Sequence, residues 1–188
     1  MALRNVLTDE NPALRKVCRP YTEFGPRLHE LLDDMRETLI DEEGVGLAAP
    51  QVGIIRRACI VLETNVAEDE EPYFIELVNP EIILEEGEQE GGEGCLSFPG
   101  QYGIVIRPRH VVVRAQDRNG AFFEVDGVDL TARAYCHEID HLNGILFVDK
   151  AVHMLTEEEL AQLRGEDEDE TEDGFEEEFK DETGEESE

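Results

Sequence analysis

The 188-residue sequence predicts an α+β fold: a single domain of mixed or antiparallel strands around a central helix, followed by an acidic tail. Three observations predict it. β-branched and apolar runs separated by turn signals fill the middle of the chain. Two segments flanking that region carry apolar residues at helical spacing. Acid is concentrated at the C-terminal end, away from the apolar patterning.

Asn11-Pro12-Ala13-Leu14-Arg15 reads as an extended or turn segment, because proline biases the residue before it away from helix. Residues Pro26 to Glu42 read as the first helix, with Leu28, Leu31, Leu32, Met35 and Leu39 on one stripe facing a core. Gly44 to Gly53 is too rich in glycine and proline for a regular element. Its remaining residues are small and apolar, which suits backbone packed tightly against something rather than a solvated loop. Ala58 to Leu62 reads as a strand, as do Ile75 to Asn79 and Ile82 to Leu84 on either side of Pro80. Asn65 to Glu71 reads as a polar loop. His110 to Ala115 and Ala121 to Val125 flank Asp117-Arg118-Asn119-Gly120, a hairpin signal. Thr131 to Asn143 reads as the second long helix, with Tyr135, Ile139 and Leu142 on its core face and Gly144 placed to stop it. Thr156 and Glu159 form a capping-box pattern for a third short helix through Leu163.

Fifteen acidic residues and one lysine fall within 165–188, so that residues 1–164 carry −17 of the total charge of −31. We therefore expect two parts: a folded domain at 1–164 that holds whatever active site the chain has, and a tail at 165–188 too poor in apolar residues to order. So acidic a chain repels nucleic-acid phosphates and anionic membranes, which excludes DNA binding and leaves basic partners open. No stretch approaches the roughly 18 apolar residues of a membrane helix, and the first residues lack the pattern of a secretory leader. The expected location is the cytoplasm. There the four cysteines (Cys18, Cys59, Cys95 and Cys136) stay reduced, and a cysteine near histidines reads as a ligand or nucleophile.

His137-Glu138-Ile139-Asp140-His141 carries the strongest chemical signal. Histidines at i and i+4 sit one helical turn apart and can reach one ion, and the intervening Glu138 can act on water at that ion. Chance would place this spacing in such a composition about 0.03 times. A catalytic site usually adds a third protein ligand and keeps one position open. The third histidine of a metzincin would stand where Phe147 stands, and Glu157, Glu158 and Glu159 read more simply as parts of a capped helix start. Cys95, preceded by Gly91, Gly92 and Gly94, is the remaining candidate.

Three segments together resemble the peptide deformylase family. Gly44 to Gln51 is similar to its first motif, Glu93-Gly94-Cys95-Leu96-Ser97 to its second, and His137 to His141 to its third. They occur in the family's order within residues 1–163. One departure stands out: the family commonly has glutamine where this chain has Cys136. That thiol points about 100° around the helix from His137 and is not expected to bind the ion.

The resemblance implies removal of the formyl group from the N-formyl-methionine end of new proteins, with release of formate. It implies one divalent metal on Cys95, His137 and His141, with Fe2+ favoured in the cell and Zn2+, Ni2+ or Co2+ able to replace it. Glu138 would move the proton, and Gln51 and the Leu96 backbone N–H would steady the oxyanion. Val45, Leu130 and Ala134 would line the methionine pocket, Gly46 would pair with the peptide backbone, and Asp140 and Glu93 would support the ligands. Action at the ribosome exit, where an acidic tail could touch basic proteins, is a further implied association. Two rivals remain: an H-E-x-x-H metallopeptidase cutting internal bonds, and a non-catalytic protein with a structural metal or an adaptor role.

Overall fold

The computed structural model describes residues 2–63, 65–66 and 71–162. Chain packing divides it into units Met1–Met154 and Leu155–Glu188. In the second unit, Thr156 and Glu159 exchange the bonds of a capping box ahead of a helical stretch at 157–162. The tail expected at 165–188 lies outside the described residues.

Among the described residues of the first unit, eight antiparallel strands form two sheets. The larger contains β1 (Gly46–Ala48), β2 (Ala58–Glu63), β3 (Tyr73–Glu86), β6 (His110–Gln116) and β7 (Phe122–Val128), in the order β1-β2-β3-β6-β7. The smaller contains β4 (Gln89–Cys95), β5 (Phe98–Arg107) and β8 (Ala151–Met154), in the order β4-β5-β8. Three helices accompany them: α1 (Pro26–Asp41), α2 (Asp129–Leu142) and the single turn α3 (Phe147–Lys150).

Alternation along β2 decides how the helices are placed. Successive strand residues face opposite sides of a sheet. Ala58 and Ile60 join Leu31, Leu32, Met35 and Leu39 of α1 in one buried cluster. Cys59 and Val61 join Ala132, Tyr135, Ile139 and Leu142 of α2 in another. The larger sheet is thus covered on both faces, and α2 is buried from Thr131 to Leu142. A third cluster, with Leu14, Phe98, Val105, Leu146 and Phe147, lies beside the smaller sheet.

Asn11 is extended as its proline requires, and Pro12–Arg15 is the expected turn, a 3-10 turn whose Ala13 N–H bonds the Asn11 side chain. Other expectations are corrected. The segment after Gly44 is regular: β1 pairs with β2, and Ala49–Val52 is a second 3-10 turn. Pro80 does not divide two strands, because β3 pairs with β2 up to Val78 and with β6 from there on, shifting register where Asn79 takes a φ of 52°. Helix α2 begins two residues before Thr131. It ends as expected, with Gly144 at a φ of 73° and no room for a Cβ, which would stand 2.6 Å from the Arg15 carbonyl. β4, β5, β8 and α3 are elements that the periodicity did not predict.

Candidate metal centre

The β4–β5 hairpin turns at Leu96-Ser97, which puts Cys95 at the end of β4 and pairs it with Phe98. Helix α2 delivers His137 and His141 from one face. The ligand-capable atoms of Cys95, His137 and His141 all lie within 4.8 Å of one another. Cys95 Sγ is 3.3 Å from His141 Nε2, and the two imidazoles meet edge to face with centroids 4.9 Å apart. One thiol and two imidazoles, converging and largely buried, are a donor set that fits a divalent transition metal. Cys136 is absent from this group. It is buried in the core under the larger sheet, and burial pushes its thiol up to about 11.

The surroundings orient these groups. His137 Nδ1 lies 3.0 Å from Glu93 Oε2, which leaves its other nitrogen for the cluster. Arg107 donates to both oxygens of Glu93, from Nε at 2.8 Å and from Nη2 at 2.9 Å. Its third nitrogen reaches Asp140, which Lys150 also holds at 2.9 Å. Arg133 adds a bond to Glu93 Oε1 at 2.8 Å. Burial opposes a charge on Glu93, but the bonds from Arg107 and His137 win, and its carboxyl stays well below the usual range. Burial likewise opposes a proton on His137, yet its bonds to Cys95 and Glu93 push it up to about 10. His141, buried and beside His137, is held well below the ordinary value. Two carboxylates of this network, Glu93 beside His137 and Asp140 beside Arg107, had a sequence signal in their closeness to the ligands along the chain. Arg107 and Arg133 had none: Arg107 lies on β5, which was not foreseen, and Arg133 lies on the foreseen helix but bonds to the unforeseen hairpin.

Glu138 is 4% exposed, and one of its oxygens, Oε2, has no hydrogen-bond partner. Burial pushes its carboxyl up to about 7, against the pull of His137. Its other oxygen rests on the backbone of Gly46, where an added Cβ would sit 2.4 Å away. Gln51 is clamped nearby. Its Oε1 accepts from the Ala48 N–H at 2.8 Å, so its amide nitrogen faces Ser97 Oγ at 3.2 Å and Cys95 Sγ at 3.5 Å. Leu96 stands at the hairpin tip between Cys95 and Ser97. Glu138, Gln51 and Leu96, with Cys95 and His137, open into a cleft of about 470 Å³, and Val45, Gly46, Leu130 and Ala134 are among its walls. Leu130 and Val45 are exposed, at 51% and 38%, so they form a rim and not a closed pocket. The structure therefore brings together every residue singled out from the sequence.

The family model for polypeptide deformylase matches residues 3–157. The chain belongs to the peptide deformylase family. A peptide deformylase from Caldanaerobacter subterraneus subsp. tengcongensis is 51% identical over 164 residues, covering 87% of this chain and 99% of that protein. One from Thermoanaerobacter pseudethanolicus is 49% identical with the same coverage. Among solved structures, a peptide deformylase from Legionella pneumophila matches with a TM-score of 0.72 and 40% identity, covering 90% of this chain and 95% of that one. One from Acinetobacter baumannii, determined with Met-Ala-Ser bound, matches at a TM-score of 0.73 and 35% identity, covering 79% and 98%. The chain is accordingly a hydrolase of a metal-dependent family, and removal of the N-formyl group from new proteins prevails over the metallopeptidase and adaptor alternatives. No helix among the described residues is long and apolar enough to cross a membrane.

Proposed function

We propose that the enzyme deformylates the N-formyl-methionyl ends of new proteins in the cytoplasm with Glu138 as its proton carrier and Cys95, His137 and His141 as ligands of one Fe2+ ion. The observation that carries this reading is Glu138 itself: a buried carboxyl, raised to about 7, with one free oxygen beside three converging donors. A base poised near neutral pH can both accept a proton and return it. A divalent ion held by the three donors supplies Lewis acidity, polarising a carbonyl and making water acidic near neutral pH. Zn2+, Ni2+ or Co2+ suit the same donors.

Glu138 takes the proton of the attacking water and passes it to the amine nitrogen as the formyl C–N bond breaks, so that formate and a free amine leave. The Gln51 amide, its orientation fixed by Ala48 and Ser97, donates to the negative charge that develops on the formyl oxygen as water adds to the formyl carbon. The Leu96 backbone N–H is the second donor. Val45, Leu130 and Ala134 receive the methionine side chain on an apolar wall, and Gly46 at the free edge of the larger sheet meets the peptide backbone. The A. baumannii relative with Met-Ala-Ser bound supports a peptide of that kind. We place the reaction at the ribosome exit, where such ends emerge.

The test is Glu138→Gln, with formate release from formyl-Met-Ala-Ser and metal content measured on anaerobically purified protein. Turnover is expected to fall by about 10²–10⁴-fold with the ion retained. Undiminished turnover in a loaded variant would overturn the assignment of Glu138, and cleavage of unformylated peptides would restore the metallopeptidase.

A further inference from the structure

Arg133 belongs to none of the three motifs, yet it is 7% exposed, lines the cleft and stands one helical turn before His137. Its Nη1 donates to Glu93 Oε1 at 2.8 Å on β4 and to the Val105 carbonyl at 3.0 Å on β5, while Nη2 reaches the Gln89 carbonyl at 3.3 Å. One guanidinium thereby grips both strands of the hairpin that ends in Cys95. Charge balance does not account for it. Arg107 and Lys150 already neutralise Glu93 and Asp140. What Arg133 adds is geometry: a planar fork with donors in fixed directions, which an ammonium lacks.

We propose that Arg133 is a positioning residue of the metal centre, joining the helix that carries His137 to the strand that carries Cys95 and holding Glu93 against His137. The inference rests on the reading of Cys95, His137 and His141 as ligands. Without the guanidinium, Glu93 keeps Arg107 and the buried charges remain compensated. The hairpin, however, loses its only link of this kind to the turn of α2 before His137 among the described residues, and the thiol and the imidazoles can drift apart. Arg133→Met removes the fork and keeps an apolar stem against the cleft. Arg133→Lys keeps the charge and loses the fork.

The test is cobalt(II) binding by the full-length apoprotein. Affinity is read by chelator competition, and ligand geometry by the thiolate charge-transfer and ligand-field absorption. Arg133→Met should weaken cobalt affinity about 10–100-fold and alter the ligand-field bands, with Arg133→Lys falling between it and the wild type. In the iron enzyme kcat should drop more than KM rises, since the cleft wall persists. Wild-type affinity and spectrum in Arg133→Met, or in Arg133→Lys should the methionine variant not fold, overturn the proposal. So does a lowered Tm with cobalt binding unchanged, which marks a structural role alone. A wild-type protein without a thiolate band refutes the ligand assignment itself, and this proposal with it, and that outcome is distinct from failure of the variants alone.

Discussion

The two sheets grip the same helix by different physics. The larger sheet meets α2 through apolar contact: Cys59, Val61, Leu77, Val111 and Val113 against Ala132, Tyr135, Ile139 and Leu142. The smaller sheet meets it through charge: Glu93 and Arg107 against Arg133, His137 and Asp140, all of them buried. Apolar packing is non-directional and tolerates small shifts. Buried ion pairs tolerate few, because each bond has a direction and an unpaired member is costly. The side that must place a thiol within reach of two imidazoles is thus the side held by directional bonds.

The largest expected effect comes from breaking that side at its centre. Arg107→Met leaves Glu93 with Arg133 and Asp140 with Lys150, but removes the one cation shared by both carboxylates. We expect a loss of roughly 3–5 kcal/mol in urea unfolding of the apoprotein. The pH dependence has a definite sign. Glu93 is held below the usual carboxylate range, so its contribution is fully present above the unfolded value, near pH 4.3, and is lost as pH falls toward its lower folded value. The gap between wild type and variant should therefore be constant near neutrality and narrow below about pH 4. A gap that widens on acidification would show that Arg107 does not act through carboxylates.

This contrast also explains what could be read from the sequence. The larger sheet announced itself through β-branched and apolar runs, as at Ala58 to Leu62 and His110 to Ala115, because a sheet covered on both faces demands them. The smaller sheet did not. β4 contains Gly91, Gly92, Glu93 and Gly94, a composition poor in strand formers, and its pairing partner β5 was not foreseen either. The site residues were legible because Cys95, His137 and His141 must be those residue types whatever carries them. Arg107 and Arg133 were not singled out, since nothing local marks a charge that will be buried against a carboxylate 14 or 40 residues away.

The larger sheet also reaches the site, through Gly46, and there the expected effect is intermediate. A Cβ at Gly46 would meet Glu138 Oε1 at 2.4 Å and its Cγ at 2.8 Å, so the whole carboxylate must shift to make room. Gly46→Ala should lower kcat for formyl-Met-Ala-Ser by about 10–100-fold, since a misplaced proton carrier forfeits much of a general base's contribution. Cobalt affinity should stay near wild type, because the glycine lies on the apolar side of the helix and not with the hairpin that carries Cys95. Weakened cobalt binding in Gly46→Ala would mean that the two sides are not separable in the way the packing implies.

The smallest expected effect comes from an exposed pair and turns chiefly on burial. Arg114 on β6 and Glu124 on β7 form a two-nitrogen ion pair at 2.9 and 3.0 Å, as close as that of Arg107 with Glu93. Both side chains are about half exposed, at 51% and 52%, whereas those of Arg107 and Glu93 are at 2% and 3%. Water already solvates the exposed pair and salt screens it, so Arg114→Met should cost only about 0.2–1 kcal/mol, shrinking further at 1 M salt. The loss in Arg107→Met should barely respond to salt, because ions do not reach that pair. The residue types and bond lengths are alike in the two cases, though Arg114 grips one oxygen of Glu124 and Arg107 grips both oxygens of Glu93 and one of Asp140. If the two variants lost equal stability, bond geometry alone would set the strength of these pairs, and the smaller sheet would have no special hold on α2. If they differ several-fold, as expected, exclusion of water is what turns the Glu93–Arg107 pair into a device for holding a metal ligand in place.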